Sequence, residues 1–199
     1  MNGAVLAVQF LAIGAGLALL ARHVARNYGL RFSLCARTTV CALGVALGLQ
    51  LALAYCGLAG WPATVVLACS AICAATDFEN GHVFDAVLLA SAFLLLAPVR
   101  TTGALIDDAL GAAAGGILLL VPFVLSRGRG MGLGDVKFAA LLGLGLSAGD
   151  AVRAIWLACV IGGAVAVALL LTRRLRHGCA MPFAPFLALG SGVVLVWHP

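Results

Sequence analysis

Charged residues in this chain are gathered into a few short intervals, and the stretches between them stay apolar for long enough to cross a lipid bilayer. A transmembrane helix needs about 20 largely apolar residues, and eight segments approach that length: residues 3–21, 38–58, 62–76, 84–98, 103–125, 134–149, 152–171 and 182–197. With 64% hydrophobic and 10% charged residues and a mean hydropathy of +1.16, the chain lies far from the soluble balance of roughly half apolar and a quarter charged. The connections are too short to hold a soluble domain. The expected fold is an all-α polytopic membrane protein, a bundle of about eight transmembrane helices. It divides only into residues 1–61, two helices joined by a short basic loop, and residues 62–199, a continuous membrane unit.

The first run reads as a transmembrane helix and not a cleaved signal peptide, because Met1-Asn2-Gly3 supplies no basic n-region and the basic cluster follows the run. Glycine is abundant, and Gly111-Ala-Ala-Ala-Gly115 is expected to let two helices approach closely. Arginine sets the expected orientation. Arg22, Arg26, Arg31 and Arg37 follow the first run, Arg127 and Arg129 the fifth, and Arg173, Arg174 and Arg176 the seventh; the opposite loops offer only Arg100 and Arg153. This nine-to-two split places the basic loops in the cytoplasm and both termini outside. The formal charge of +5 then reflects topology and contact with anionic lipid headgroups, and it carries no nucleic-acid signal.

The seven cysteines form no C-x-x-C pair, and Cys69 and Cys73 stand one helical turn apart in an apolar span without a histidine or carboxylate at metal spacing. They read as small core residues. His23, His82, His177 and His198 are scattered among loops and ends, so no metal and no cofactor is expected. The acids carry more. Asp107, Asp108 and Asp150 fall near the outer ends of spans, where a solvated carboxylate suffices, whereas Asp77 closes the third span and Asp135 opens the sixth, on the same side of the membrane. A carboxylate at such depth is expensive unless it is paired or faces a wet cavity. Two carboxyls brought together share a proton, so that one takes a proton from water while the other polarises a carbonyl. That is the chemistry of an aspartic protease.

Gly132-Leu-Gly134-Asp135 supplies the G-x-G-D motif of intramembrane-type aspartic proteases, in which glycines admit an extended substrate and the aspartate begins a helix. Three stretches then align with one family: Asp77-Phe-Glu79 with a short polar loop to Asp85, Gly130-Met-Gly132-Leu-Gly134-Asp135-Val-Lys137, and Met181-Pro182-Phe183-Ala184-Pro185-Phe186. Over roughly residues 62–197 the chain resembles the type IV prepilin peptidases, the leader peptidases of type IV pili and type II secretion. Presenilin-like proteases share G-x-G-D but carry a Pro-Ala-Leu element where this chain has Pro182-Phe-Ala-Pro185. The resemblance implies a membrane aspartic endopeptidase in the bacterial inner membrane, with Asp77 and Asp135 catalytic near the cytoplasmic face. Gly132, Gly134, Pro182 and Pro185 would shape the site. The implied partner is a prepilin or pseudopilin, whose short basic leader stays in the cytoplasm and is removed after its final glycine.

Because the cytoplasmic loops are rich in arginine, a basic leader is expected to dock on Glu79 or Asp85, the alternative for both being a solvated loop carboxylate. Lys137 lies two residues beyond Asp135, about 200° around a helix, so direct pairing of the two is not expected. It either snorkels to the interface or holds an acidic group of the pilin. Two departures from the family pattern stand out. Many members insert a zinc-binding domain with paired C-x-x-C motifs after the first span and also methylate the new N-terminus; here that interval is only Arg22 to Arg37, with Cys35 alone, so zinc and methylation are expected to be lost. The family's Leu-Pro-Asp is replaced by Val83-Phe84-Asp85. The main non-enzymatic alternative is a proton-coupled transporter or channel component, since paired acids also make relays, but a relay calls for acids deep within spans. No H-E-x-x-H is present for a metalloprotease, and Gly190-Ser191-Gly192 lacks the setting of a serine nucleophile.

Overall fold

In a computed structural model of the protein the described residues are 60–97, 102–128, 131–172 and 182–197, and they form six α-helices. These are α1 (Trp61–Asn80), α2 (Asp85–Leu96), α3 (Thr102–Leu125), α4 (Leu133–Gly145), α5 (Ala148–Leu171) and α6 (Ala184–Trp197). The expected spans 3–21 and 38–58, with the basic loop between them, lie outside the described residues, as do Arg100, Arg129, Arg173, Arg174 and Arg176. No strand occurs among the described residues.

Three helices are long and apolar enough to cross a membrane: α1 over Trp61–Phe78, α3 and α5. The expected spans 84–98, 134–149 and 182–197 are realised as shorter helices of 12, 13 and 14 residues. The clearest difference lies at 134–149, which does not run on to Gly149. The helix stops at Gly145, Leu146 turns extended, and α5 starts at Ala148, four residues earlier than expected. The cause is a polar cap inside an apolar stretch. Ser147 Oγ accepts the Asp150 N–H at 3.1 Å and donates to Asp150 Oδ2 at 2.9 Å, a reciprocal N-cap that nucleates a new helix. Arg153 completes it by donating to Asp150 Oδ1 at 2.9 Å.

Between helices in lipid there is little hydrophobic drive, so packing rests on close backbone approach and a few hydrogen bonds. The expected contact at Gly111 and Gly115 forms between α3 and α4: a Cβ at Gly111 would overlap the Gly143 carbonyl, and one at Gly115 the Ala139 carbonyl. The pairing 111 with 143 and 115 with 139 makes these helices antiparallel. On α6, Ser191 hydrogen-bonds Ser70 of α1 through their hydroxyls at 3.4 Å. Trp61 Nε1 donates to the Leu94 carbonyl at 2.7 Å, tying the start of α1 to the end of α2. Consecutive helices therefore alternate in direction. α1 is the central helix, buried along most of its length, while α3 and α5 turn rows such as Ile106, Leu110, Ile117 and Trp156 outward. In an apolar solvent that exposure is the satisfied state.

Candidate active site

Alternation of direction gathers the C-terminus of α1 and the N-termini of α2, α4 and α6 at one end of the bundle. Asp77 stands in the last turn of α1. The helix ends just beyond it because Gly81 adopts φ 64°, the left-handed region open to glycine, and its N–H closes on the Asp77 carbonyl at 2.8 Å. Asp135 is the third residue of α4 and folds back on its own helix start: Oδ2 accepts the Gly132 N–H at 3.3 Å while the Asp135 N–H reaches the Gly132 carbonyl at 3.2 Å. From the α3–α4 register Asp135 is level with Leu119, about 9 Å short of the end of α3. The acid lies in a recess.

Both aspartates are buried, each residue 7% exposed. Asp77 is held from across the bundle, its Oδ2 accepting the Ala184 N–H at 3.0 Å at the start of α6, with the Phe183 N–H also directed at the carboxyl. Pro185 suits this turn, since a proline in the first turn forgoes no intrahelical bond and leaves its neighbours' N–H groups pointing outward. A helix N-terminus favours a negative charge there. The charge of Asp77 acts on Asp135, and the Cys73 thiol, one turn along α1, feels both. Among the described residues the buried Asp135 Oδ1 has no hydrogen-bond partner. A buried acceptor left open in this way is uncommon in a folded protein.

The other expected residues take the following places. Gly132 is the exposed N-cap of α4, and Gly134 lies against Val83, where a Cβ would come within 3.1 Å of the valine Cβ. The replacement Val83-Phe84-Asp85 is accommodated, with Phe84 buried and Asp85 opening α2. Lys137 does not turn to Asp135; its Nζ donates to Asp85 Oδ2 at 2.7 Å in an exposed ion pair. Pro182 is half-buried just before α6. Glu79 belongs to the last turn of α1, and its side chain lies outside the described residues. Asp107 and Asp150 are at the opposite end, with Asp108. Two contributors were not anticipated: the Ala184 and Phe183 N–H groups, and His82, which is exposed and acts electrostatically on Asp77. The Pro182-Phe-Ala-Pro185 spacing was the available sign of the first of these.

Residues 64–167, just over half of the chain, match the model of the type IV leader peptidase family. A prepilin leader peptidase/N-methyltransferase of Bacillus subtilis is 32% identical over 155 residues, covering 75% of this chain and 58% of the relative. One of Burkholderia pseudomallei is 33% identical over 146 residues, 67% of this chain and 47% of the relative. One of Pseudomonas aeruginosa is 35% identical over 97 residues, 46% and 33% of the two chains. The chain thus spans about half the length of the curated relatives it matches. No solved structure matches.

Proposed function

The chain belongs to the type IV leader peptidase family, and from that membership we propose that it is a membrane aspartic endopeptidase removing the short basic leader of a type IV prepilin or pseudopilin. The observation that carries the reading is the pair of buried carboxyls at the meeting of α1, α4 and α6, with Asp135 Oδ1 open. The two groups share one proton. Asp77, steadied by the Ala184 N–H, acts as the carboxylate that takes a proton from the attacking water; Asp135 carries the shared proton and hydrogen-bonds the scissile carbonyl through its open oxygen. After attack the proton taken by Asp77 passes to the leaving amine, and the pair returns to its starting state.

Gly132, exposed at the mouth of the site, leaves backbone free for an extended segment, Gly134 lets the loop carrying Val83 close on the start of α4, and Pro182 and Pro185 set the turn that directs Ala184 at Asp77. The nine-to-two arginine split supports a cytoplasmic position for this end of the bundle, family membership supports a bacterial inner membrane, and spans 3–21 and 38–58 would bring the bundle to about eight helices. A basic leader remaining in the cytoplasm then meets Asp85 and Glu79 at the rim. No cofactor enters the reaction.

The test is cleavage of prepilins from the same genome by the purified full chain. Asp77→Asn and Asp135→Asn should each abolish cleavage while leaving the protein folded and inserted, because an amide neither takes nor shuttles the proton. A folded variant of either kind that still processes prepilin near the parent rate would refute the assignment.

A further inference from the structure

On the face of α4 that carries Lys137, a groove of about 360 Å³ runs between α2 and α4, with Leu89 and Ala92 on one wall, Ala140 and Leu144 on the other and Ala112 of α3 behind. Among the described residues, Asp85 and Lys137 are the only charged ones that line it, and they meet across the end at the start of α2 and α4. The position is fixed from both sides. Lys137 follows Asp135 by two residues on α4, and Asp85 follows the loop whose Val83 packs on Gly134.

An exposed single ion pair contributes little to holding two helices together, and the side chains of Asp85 and Lys137 are 59% and 46% exposed. A pair so weakly held is easily exchanged for another partner of the same charge. The chemistry of the proposed substrate supplies that partner: a cationic leader followed directly by an apolar segment, the same order of charge and grease that the mouth and groove present. Resting on the leader-peptidase reading, we propose that Asp85 and Lys137 form a charge-exchange latch. The cationic leader takes Asp85 from Lys137, the lysine swings free, and the apolar segment behind the leader lies along the groove with its first peptide bonds at Asp77 and Asp135. The pair admits substrates by the charge of their leader.

The latch is tested with the full chain in lipid vesicles and three prepilins: one with its basic leader, one with the leader Lys and Arg changed to Gln, and one with them changed to Glu. Asp85→Asn should raise KM for the basic leader by about fivefold, the scale of one exposed ion pair, with kcat unchanged and the Gln leader unaffected. The reversed pair, Asp85→Lys with Lys137→Asp, keeps an ion pair at the mouth but should prefer the Glu leader over the basic one. A reversed pair that cleaves the basic leader as the parent does makes the contact a structural strut and overturns the latch. So does an Asp85→Asn variant that slows all three leaders equally. If the parent cleaves none of them, the leader-peptidase reading itself has failed, an outcome distinct from either.

Discussion

Asp77 and Asp135 are equally buried, yet one carboxyl is tied to a neighbouring helix and the other to the start of its own, the asymmetry on which their proposed roles rest. A pair that shares one proton titrates as a unit. At low pH both carboxyls hold protons and none can accept from water; at high pH both are ionised and none can donate to the carbonyl. The profile of kcat/KM against pH should therefore be bell-shaped, and a profile that only rises or only falls would count against proton sharing. Asp107→Asn, Asp108→Asn and Asp150→Asn, at the far end of the bundle, should stay within about threefold of the parent. The acid pair was legible in the sequence because carboxylates are scarce in apolar spans, and each of these two marks a helix end. The Ala184 N–H was not, since a backbone donor has no side chain to announce it and only the spacing of Pro182 and Pro185 hinted at the turn that presents it. The partner of Lys137 was missed for a different reason: the angle between positions on one helix says which neighbours are unavailable, not which residue another helix will offer.

At the level of elements, apolar runs predicted the long helices α1, α3 and α5, and small residues predicted the α3–α4 contact. What hydropathy could not resolve was the break before Ser147, because Leu146 and Ala148 are themselves apolar and only the Ser147–Asp150 cap marks it. Two expectations follow from these contacts. Gly111→Leu would drive a side chain into the Gly143 carbonyl and should cost at least about 2 kcal/mol, read as a lower unfolding temperature in detergent, whereas Gly163→Ala, with nothing within 4 Å, should be tolerated. Ser147→Ala removes the cap of α5 and should cost about 1 kcal/mol. Gly111→Leu unfolding with Gly163→Ala would show that the α3–α4 crossing is not close-packed.

For the whole molecule, orientation is open to direct measurement. With native cysteines removed, single cysteines near positions 80 and 129 should label from the cytoplasmic side; labelling only from outside would reverse the assigned topology. Lacking paired C-x-x-C motifs, the protein should hold no stoichiometric zinc and should leave the processed pilin unmethylated when a methyl donor is supplied, which mass spectrometry of the new N-terminus decides. The alternation of helix direction carries one more consequence. Among the described residues, every helix that starts at the acid pair is short, 12, 13 and 14 residues, and every helix running toward it is long, 20, 24 and 24 residues. At about 1.5 Å per residue the first set spans only about 18–21 Å against a hydrocarbon core of about 30 Å. Acyl chains beside α2 and α4 are therefore expected to compress or tilt, thinning the surrounding bilayer on the flank where the groove opens. Lipid chain length becomes a control on the reaction, and vesicles of shorter-chain lipids, which meet the short flank without distortion, should support faster turnover than thick ones.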